Sequence, residues 1–507
     1  MTLKPDRTER LMHDIPRGVA TRRFSEQTAP QARFLNPADI IAHQGLAYNP
    51  ANPGGKILLG AIGDRLIGIE DNRHIMTVAG SRAGKSVTVI NNLFFYPGSV
   101  LCTDPKGELA EITAPRRAKM GQKVYVLDPF KVVKGEAARH RKSFNPLAAL
   151  SLNNGFIIED ALQITDALIV SSGNEKDPHW NESASHFIMG LILYVALSPD
   201  IPPHERNLVT VRCHLNRALT FDKDRKVFML EEEIEDAAGK LADSGFNDIA
   251  AIMTSAVRGF YDKGFDERGG VLSTARRHTQ FLEFESMKSV LSGHDFDLAD
   301  LKREKCGISV YLVLPATRMS MCNRWLRLFV NQLLDAMERE RGKPKAPVLV
   351  CLDEFPVLGF MKQLQDAAGQ IASFHVKLWV ILQDWGQGKA LYGERFESFA
   401  ANAGILQAFG NVDVTTTEYL SKKLGQTIVE DARLSEVTSE QRQKGLSGRQ
   451  DTRQLYPLLT PDEIARSFAR SDPLKRQLIF WAGVHPMILQ RVEYYDNEYF
   501  IEYYIRN

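Results

Sequence analysis

Residues 79–86, Ala-Gly-Ser-Arg-Ala-Gly-Lys-Ser, form the most specific chemical pattern in the sequence. The pattern is that of a phosphate-binding P-loop with alanine in the first glycine position. In such a loop the backbone N–H groups surround phosphate oxygens, the lysine reaches the β- and γ-phosphates, and the following hydroxyl helps to hold Mg²⁺. We therefore predict a nucleotide site, with Lys85 catalytic and Ser86 at the metal, formed by Gly80, Ser81, Arg82, Ala83, Gly84, Lys85, Ser86 and Val87.

A second pattern, residues 348–354, is an apolar strand-like run that ends in two carboxylates, Asp353 and Glu354. This order is typical of a Walker B motif. We predict that Asp353 holds Mg²⁺ through water and that Glu354 polarises the attacking water. The glutamate favours nucleotide hydrolysis over nucleotide binding alone.

Two further polar groups follow apolar runs. Gln383 comes directly after Val376–Leu382, and the carboxyl ends of central strands are where phosphates lie in open α/β sheets. We predict a catalytic Gln383 that senses the γ-phosphate, the alternative being a glutamine that only caps a helix. The Asp104–Glu108 turn follows another run and is either functional or simply solvated.

A sheet must position these groups, and the apolar runs supply it. They are rich in Val, Ile and Leu and mostly lack polar alternation, which is typical of parallel strands covered on both faces. Helical stretches such as 323–341 provide the crossovers. The fold class is therefore α/β with a mainly parallel sheet, whose predicted strands are 75–79, 99–103, 124–127, 308–314, 348–352, 376–382, 405–409 and 478–483.

Helical periodicity dominates between about residues 155 and 295. We expect helices at 158–170, 180–197, 226–244, 248–261 and 272–282, which together indicate an inserted all-α domain. The predicted division is a polar arm at 1–55, the nucleotide-binding domain at 56–154 and 296–507, and the insertion at 155–295. We expect the Arg-rich arm to be solvated and partly mobile, the alternative being an arm that docks or contacts DNA, and we expect residues 435–453 to form a mobile surface loop.

Composition limits the class of protein. The 507 residues include 63 Lys plus Arg and 62 Asp plus Glu, a formal net charge of +1. This balance excludes a small basic DNA-coating protein but allows a motor with basic residues confined to a channel. Five cysteines without a CxxC pair indicate a reducing compartment. The sequence shows no secretory signal and no apolar run of the about twenty residues that span a membrane.

Taken together, the motifs resemble those of the TraG/TraD-type coupling proteins of type IV secretion and conjugation. The resemblance covers about residues 57–495 and depends on the order and spacing of the motifs. Besides the P-loop, the matching stretches are TDPKGEL at 103–109, VYVLDPF at 124–130, DPHWNESA at 177–184, DFDLADLK at 295–302, ISVYLVLPA at 308–316, WLRLFVNQLLDAM at 325–337, CLDEFPVLG at 351–359, WVILQD at 379–384, TTTEYLSKKLG at 415–425 and LLTPDEI at 458–464.

This resemblance implies a RecA-like P-loop NTPase domain with an inserted all-α domain that helps to select cargo. It implies ATP and Mg²⁺ as cofactors and a homo-hexamer around a channel. Such proteins use ATP to pass relaxase-bound single-stranded DNA, protein substrates, or both, to the type IV secretion channel components. A hexameric motor also needs an arginine from the neighbouring subunit, and our candidate is Arg395, which lies shortly after Gln383.

Typical members of that family also carry two N-terminal transmembrane helices, and this sequence shows none. We therefore expect a cytoplasmic protein, peripheral at the inner membrane, that docks on a separate membrane partner.

Three functions remain open at this point. The first is an ATP-dependent coupling protein, and the second is a free cytosolic DNA translocase ATPase of the same superfamily. The third is a cargo receptor that nucleotide merely stabilises, against which Glu354 argues. In the helical insertion, Arg276, Arg277 and Lys288 either face DNA or are solvated, and Trp180 packs in the core or faces cargo.

Overall fold

The computed structural model describes residues 32–170, 179–367, 369–434 and 449–505. The chain divides into two compact units, residues 1–97 with 377–506 and residues 98–376.

The strands are numbered along the chain: β1 (Ile57–Ile62), β2 (Arg65–Ile69), β3 (His74–Ala79), β4 (Val100–Asp104), β5 (Lys123–Leu127), β6 (Phe221–Asp222), β7 (Val227–Phe228), β8 (Ile308–Val313), β9 (Val348–Leu352), β10 (Val376–Leu382), β11 (Ala403–Phe409), β12 (Gln426–Leu434), β13 (Arg449–Pro457), β14 (Arg476–Trp481) and β15 (Met487–Gln490). The α-helices are α1 (Pro37–Ala42), α2 (Lys85–Leu93), α3 (Glu108–Lys119), α4 (Ile157–Leu168), α5 (His179–Leu197), α6 (Leu208–Asn216), α7 (Met229–Asp243), α8 (Asn247–Tyr261), α9 (Phe265–His278), α10 (Glu285–Leu291), α11 (Asp300–Arg303), α12 (Ala316–Arg339), α13 (Lys362–Ala367), α14 (Trp385–Tyr392), α15 (Arg395–Ala401), α16 (Val414–Leu424), α17 (Pro461–Ser467) and α18 (Ile501–Ile505).

In the first unit the strand order is β2-β1-β15-β14-β11-β3-β10. Strand β3 lies between β11 and β10 and runs parallel to both. Strands β14, β15, β1 and β2 extend this sheet beyond β11 in antiparallel pairings. Because β3, β10 and β11 are parallel, their carboxyl ends meet at one edge of the sheet, where loops from all three strands come together.

In the second unit the order is β9-β4-β8-β5, and the pairings of these strands are parallel. Helix α3 connects β4 to β5, and the long helix α12 connects β8 to β9, as βαβ crossovers require. Every residue of β4, β8 and β9 is buried, which explains their continuous apolar sequences.

Helices α4 to α10 lie between β5 and β8 in the chain, and the two-residue strands β6 and β7 form a small ribbon among them. Helices α5 and α8 pack closely because Gly190 faces Ala256, where an added Cβ would lie 2.6 Å from the alanine Cβ. Phe187 and Phe260 stack beside this crossing, with ring centroids 3.9 Å apart. Trp180 is half-buried and packs over Gly270, so it is not one of the fully buried core residues.

The predicted strand and helix positions are mostly confirmed to within three residues, since buried apolar runs and helical periods mark them clearly. There are three exceptions at helix ends: α7 loses residues 227–228 to β7, α9 spans Phe265–His278 instead of 272–282, and α12 begins at Ala316 instead of residue 323. Arg276 is half-buried, and its Nη2 donates to the Asn216 carbonyl at 2.7 Å. Lys288 pairs with the exposed Glu285 at 3.0 Å, and Arg277 is exposed.

The prediction of a mobile arm is wrong for residues 32–55. Helix α1 begins after Asn36, whose side chain caps it, and the Tyr48 N–H donates to the Leu66 carbonyl at 3.0 Å. Ile40, Leu46 and Tyr48 are buried, so three apolar side chains hold this polar stretch on the first unit. Residues 1–31 of the predicted arm lie outside the described residues.

The prediction of a mobile loop at 435–453 is wrong for residues 449–453. They begin β13, which pairs antiparallel with β12 from Arg449 opposite Leu434 to Pro457 opposite Gln426. Residues 435–448 lie outside the described residues. The strands of this ribbon are polar and are stabilised by cross-strand pairing. Because they contain no apolar run, the sequence did not predict the ribbon.

None of the helices in the described part of the chain is long and apolar enough to cross a membrane.

A row of buried polar side chains ties together the strands of the first unit. Trp379 Nε1 donates to Thr77 Oγ1, and Thr77 Oγ1 donates to Gln407 Oε1, both at 2.9 Å. Gln407 Nε2 donates to Gln477 Oε1, and Gln477 Nε2 donates to the Leu59 carbonyl, both at 2.6 Å. The row links β10, β3, β11, β14 and β1. Each amide accepts from one neighbour and donates to the next, so its burial is compensated.

Replacing the central amide should therefore cost stability. The substitution Gln407→Leu keeps the volume but leaves the Thr77 hydroxyl without its acceptor and Gln477 Oε1 without its donor, and we expect a loss of about 1–3 kcal/mol in the free energy of unfolding. Urea unfolding measures it. The exposed Gln44 gives the matched control, since Gln44→Leu should change stability by no more than about 0.5 kcal/mol. Equal effects of the two substitutions would contradict the role of the row.

Candidate nucleotide-binding site

The P-loop connects the end of β3 to the start of α2 in the first unit. Strand β3 ends at Ala79, and α2 begins at Lys85, after Gly84 with φ of 100°. Only glycine adopts such a conformation without strain. The turn is closed by the Ala83 N–H, which donates to the Gly80 carbonyl at 3.2 Å. The loop therefore ends at a helix N-terminus, where unpaired backbone N–H groups and the helix dipole favour an anion.

The P-loop is held against the end of β11 by a close backbone approach. The Gly80 N–H donates to the Phe409 carbonyl at 3.2 Å, and a Cβ added to Gly80 would lie 2.0 Å from the Gly410 carbonyl oxygen. From the other side, a Cβ on Gly410 would lie 2.6 Å from the Ala83 Cβ. Both positions therefore require glycine, because a larger residue would overlap the neighbouring atoms. The buried side chains of Ala79, Ala83 and Phe409 fill the space beside them.

Lys85 and Ser86 occupy the first turn of α2 and are half-buried. Lys85 Nζ donates to the Ala79 carbonyl at 3.0 Å and lies 3.4 Å from the Gly80 carbonyl oxygen, so its charge is at the mouth of the loop. Arg82 is exposed with φ of 56°, a left-handed conformation at the crest of the loop. The predicted nucleotide-binding residues thus form one continuous loop and first helical turn.

Gln383 lies at the same sheet edge as the P-loop. The β10–β3 register pairs Leu382 with Val78, so the following Gln383 comes opposite Ala79. Its N–H donates to Gln387 Oε1 at 3.1 Å, and its carbonyl accepts from Asn411 Nδ2 at 3.3 Å. These bonds fix its backbone beside the loop. The N-cap of the next helix, α14, is Asp384, so the alternative reading of Gln383 as a helix cap is wrong.

Arg395 begins the short helix α15 and is exposed.

The Walker B residues follow β9 in the second unit. Asp353 is buried, and its carbonyl accepts from Thr103 Oγ1 at 2.8 Å. Its carboxylate Oδ1 accepts from the Glu354 N–H at 3.1 Å. Glu354 is half-buried and has φ of 54°, an uncommon conformation for a residue with a side chain. The backbone therefore leaves the extended conformation of β9 at this residue, and a 3-10 turn, Phe355–Leu358, follows it.

Asp104, from the predicted turn at 104–108, is buried at the end of β4. Burial raises the pKa of its carboxyl to about 7, the negative charge of Asp353 adds to the rise, and hydrogen bonds from backbone N–H groups oppose it. Those donors include Ala110 at 2.9 Å and Lys106 at 3.3 Å. The turn is therefore a buried acidic group beside Walker B, and its solvated reading is wrong for Asp104.

The segment that follows Walker B is held by Arg327 of α12. Its Nη1 donates to the carbonyls of Leu358 and Phe360, both at 2.8 Å. Charged donors bind carbonyls about twice as strongly as neutral ones. Arg327 therefore connects α12 to the segment that follows Glu354.

Sequence reasoning missed three contributors to the site, Gly410, Asn411 and Arg327. A Gly-Asn pair directly after the apolar run of β11 is a signal that could have found the first two, since it repeats the strand-then-polar pattern of Gln383. No sequence signal distinguishes Arg327 from other helical arginines.

The P-loop follows a strand that lies between two parallel neighbours, and Gln383 lies at the same sheet edge. The Walker B sequence follows one of the parallel strands of the second unit. These features define a P-loop NTPase fold. Residues 33–507 match the family described as Type IV secretory system Conjugative DNA transfer, T4SS-DNA_transf. The chain belongs to this family.

Named relatives agree with this assignment. The chain is 29% identical over 411 residues to the conjugal transfer protein TraG of Escherichia coli, covering 78% of this chain and 61% of TraG. It is 26% identical over 479 residues to the type IV secretion system-coupling protein VirD4 of Bartonella quintana, covering 90% of this chain and 68% of VirD4. The chain thus spans about three fifths of the length of this TraG.

Solved structures show a shared fold. The plasmid coupling protein TrwB in complex with the ATP analogue ADPNP superimposes with a TM-score of 0.64 at 14% identity, over 94% of this chain and 96% of TrwB. An unbound form of TrwB gives a TM-score of 0.61 at 16% identity, over 86% and 88% of the two chains. The predicted fold class, a RecA-like P-loop NTPase domain with an inserted all-α domain, is confirmed.

The contact between Gly80 and Gly410 gives a direct test of how the loop is held. In Gly80→Ala the new methyl group would overlap the Gly410 carbonyl oxygen, so the loop has to move. We expect a melting temperature lower by several degrees, corresponding to about 1–3 kcal/mol, and loss of ATP binding in calorimetric titration.

Gly155 is a matched control because an added Cβ there meets nothing within 4 Å. Gly155→Ala should bind ATP as the unmodified protein does. Full ATP affinity in Gly80→Ala would show that the close approach is not needed.

Asp104 should make stability depend on pH. Its pKa of about 7 in the folded protein is above the about 3.9 of an unfolded aspartate, so the folded state binds more protons between these values. Stability therefore falls as pH rises from about 4 to 7, with a slope of at most about 1.4 kcal/mol per pH unit. Urea unfolding across this range measures it. The Asp104→Asn variant should lack this component, and an unchanged slope would contradict the assignment.

Proposed function

We propose that this protein is an ATP-dependent coupling protein that recruits DNA, protein substrates, or both, and drives them into a type IV secretion channel. The single observation that carries the proposal is the complete P-loop, Ala79 to Ser86, in a chain that matches the conjugative DNA transfer family from residue 33 to 507. The names of TraG and VirD4, a conjugal transfer protein and a secretion coupling protein, support it.

ATP and Mg²⁺ are the proposed ligands. The loop offers a helix N-terminus, a glycine-lined backbone and the Lys85 ammonium to a triphosphate, which fits its charge and shape. Ser86 and Asp353 offer oxygen ligands, which Mg²⁺ prefers. When bound, Mg²⁺ neutralises charge on the phosphates. TrwB in complex with ADP and Mg²⁺ supports both ligands.

The other site residues have proposed roles in hydrolysis. Glu354 accepts a proton from the attacking water or polarises it, and Gln383 senses the γ-phosphate. Arg395, exposed at the start of α15, is the proposed arginine donated to a neighbouring subunit of a homo-hexamer. An exposed arginine is free to reach a second chain, which a buried one is not.

We also propose that residues 155–295 select cargo and that the remainder is the motor. Contacts within the second unit support communication between these parts. Arg324 Nε donates to the Leu168 carbonyl at 2.9 Å, and Arg327 Nε donates to the Ala167 carbonyl at 3.3 Å. The two arginines therefore bind the C-terminal end of α4, where a positive charge also favours the helix dipole. Since Arg327 holds the segment after Walker B as well, a shift of α4 would be transmitted to Glu354.

The partners in this proposal are single-stranded DNA with its relaxase and the components of the secretion channel. The proposed location is the cytoplasm, peripheral at the inner membrane, with docking on a membrane partner in trans. The name of the VirD4 relative, a secretion coupling protein, supports the channel as partner.

ATP hydrolysis by the purified protein, with and without single- and double-stranded DNA, tests the proposal. We expect hydrolysis that DNA increases severalfold. Lys85→Ala should lower ATP affinity and turnover together, whereas Glu354→Gln should keep ATP binding and lower turnover by about 100-fold or more.

Single-stranded DNA should be the better activator. Stimulation by double-stranded DNA only, with no effect on transfer between cells, would favour a free DNA translocase instead. A Glu354→Gln protein that still delivers cargo in a conjugation assay would show a receptor in which hydrolysis is not needed.

A further inference from the structure

A strap formed by residues 491–505 follows β15 and runs along helix α2 in the first unit. In the last turn of α2, the buried Asn91 Nδ2 donates to the Val492 carbonyl at 2.8 Å. At the C-terminal end of α2, the Phe95 ring packs edge-on against Phe500, with centroids 5.2 Å apart. The strap therefore contacts the last turn of the P-loop helix and the residues that follow it.

At the other end of α2 the strap reaches the P-loop itself. Arg491 Nη1 donates to the Ala83 carbonyl at 2.6 Å. The guanidinium lies over the Phe409 ring, 5.1 Å from its centroid, and Nε donates to the Lys475 carbonyl at 3.3 Å. Burial lowers the pKa of Arg491, and the charges of Glu493 and Asp472 oppose this. The two hydrogen bonds and the packing on the aromatic ring together fix the orientation of the guanidinium plane.

The Ala83 carbonyl belongs to the peptide unit that also carries the Gly84 N–H. A trans peptide is planar, so its C=O and N–H point in opposite directions. Fixing the carbonyl toward Arg491 therefore fixes the Gly84 N–H toward the opposite side. Gly84 has φ of 100°, and a glycine neighbour lets a peptide rotate at little steric cost. Without a partner for the carbonyl, this peptide is free to turn over.

We propose that Arg491 is a positioning residue of the nucleotide site, which holds the Ala83–Gly84 peptide so that the Gly84 N–H is presented to a bound phosphate. This inference rests on the proposed nucleotide binding. Arg491 does not touch the nucleotide. It disfavours the turned-over peptide, in which the Gly84 N–H cannot donate to the phosphate. The ligand therefore binds without first having to rotate the peptide back.

An arginine suits this task for physical reasons. The planar guanidinium donates to two carbonyls at fixed angles while its face packs on an aromatic ring. A lysine in its place offers a point charge that reaches one carbonyl. A methionine fills similar volume without any donor.

The proposal predicts a particular kinetic pattern. Because a turned-over peptide must revert before ATP binds well, Arg491→Met should raise the KM and the Kd for ATP about 10- to 100-fold, the range for losing a hydrogen bond to a charged group. The turnover number kcat should change less than about threefold, since the bound loop has the correct conformation. Arg491→Lys should lie between the two proteins.

Calorimetric titration with ATP and Mg²⁺, steady-state hydrolysis and thermal melting are measured on the full chain. Guanidinium chloride at millimolar concentration is then added to an Arg491→Ala protein, whose side-chain space it can enter. We expect it to restore ATP affinity in that variant and not in Lys85→Ala. A merely structural arginine would change the melting temperature without the rescue and without the separation of KM from kcat.

Phe500→Leu is the matched control, because it loosens the far end of the strap and leaves Arg491 in place. It should lower the melting temperature and keep the ATP affinity. ATP affinity of a folded Arg491→Met protein within twofold of the unmodified protein would overturn the inference, as would equal losses in Phe500→Leu. If Arg491→Met does not fold, the same comparisons apply to Arg491→Lys.

The two proposals fail in different ways. If the unmodified protein binds no ATP and Lys85→Ala changes nothing, both are wrong. If the unmodified protein binds ATP, Lys85→Ala does not, and Arg491→Met binds as well as the unmodified protein, then only the role of Arg491 is wrong.

Discussion

The candidate nucleotide site depends on one close approach of backbone to backbone, that of Gly80 to Gly410. A side chain at either position would overlap a neighbouring atom, so the backbone of the P-loop and the backbone that follows β11 are in direct contact. The approach is possible because β3 and β11 run parallel and end together, in the register Ala79 opposite Phe409. The loop that carries Lys85 takes its position from this contact, and Gln383 reaches the same sheet edge through the pairing of β10 with β3.

Much of the fold followed from the sequence because the information is local there. Buried parallel strands such as β9 and β10 are continuous apolar runs, and long helices such as α12 repeat their buried face regularly. The P-loop pattern, the Walker B carboxylates and Gln383 could be singled out in the sequence, and the structure places each of them directly after a strand. The features that the sequence did not predict depend on contacts between residues far apart in the chain. The β12–β13 ribbon depends on cross-strand pairing, and the folding of residues 32–55 depends on three apolar contacts.

The site was predicted less completely for the same reason. Gly410, Asn411, Arg327 and Arg491 act on residues far away in sequence, and a single chain carries no mark of such contacts. Asp104 was recognised only as a charged turn, because its proximity to Asp353 arises from the pairing of β4 with β9. A sequence thus shows the groups that do chemistry more readily than the groups that hold them.

The position of the strap at the end of the described chain affects how the first unit folds during synthesis. Arg491 is 408 residues beyond Ala83, so a ribosome adding about 5–20 residues per second needs on the order of half a minute between them. During that interval helix α2 exposes Phe94 and Phe95, and the sheet lacks β14 and β15. The nascent P-loop unit therefore has an unpaired strand edge and uncovered aromatic rings, the surface that chaperones bind, until the last of its strands has been synthesised.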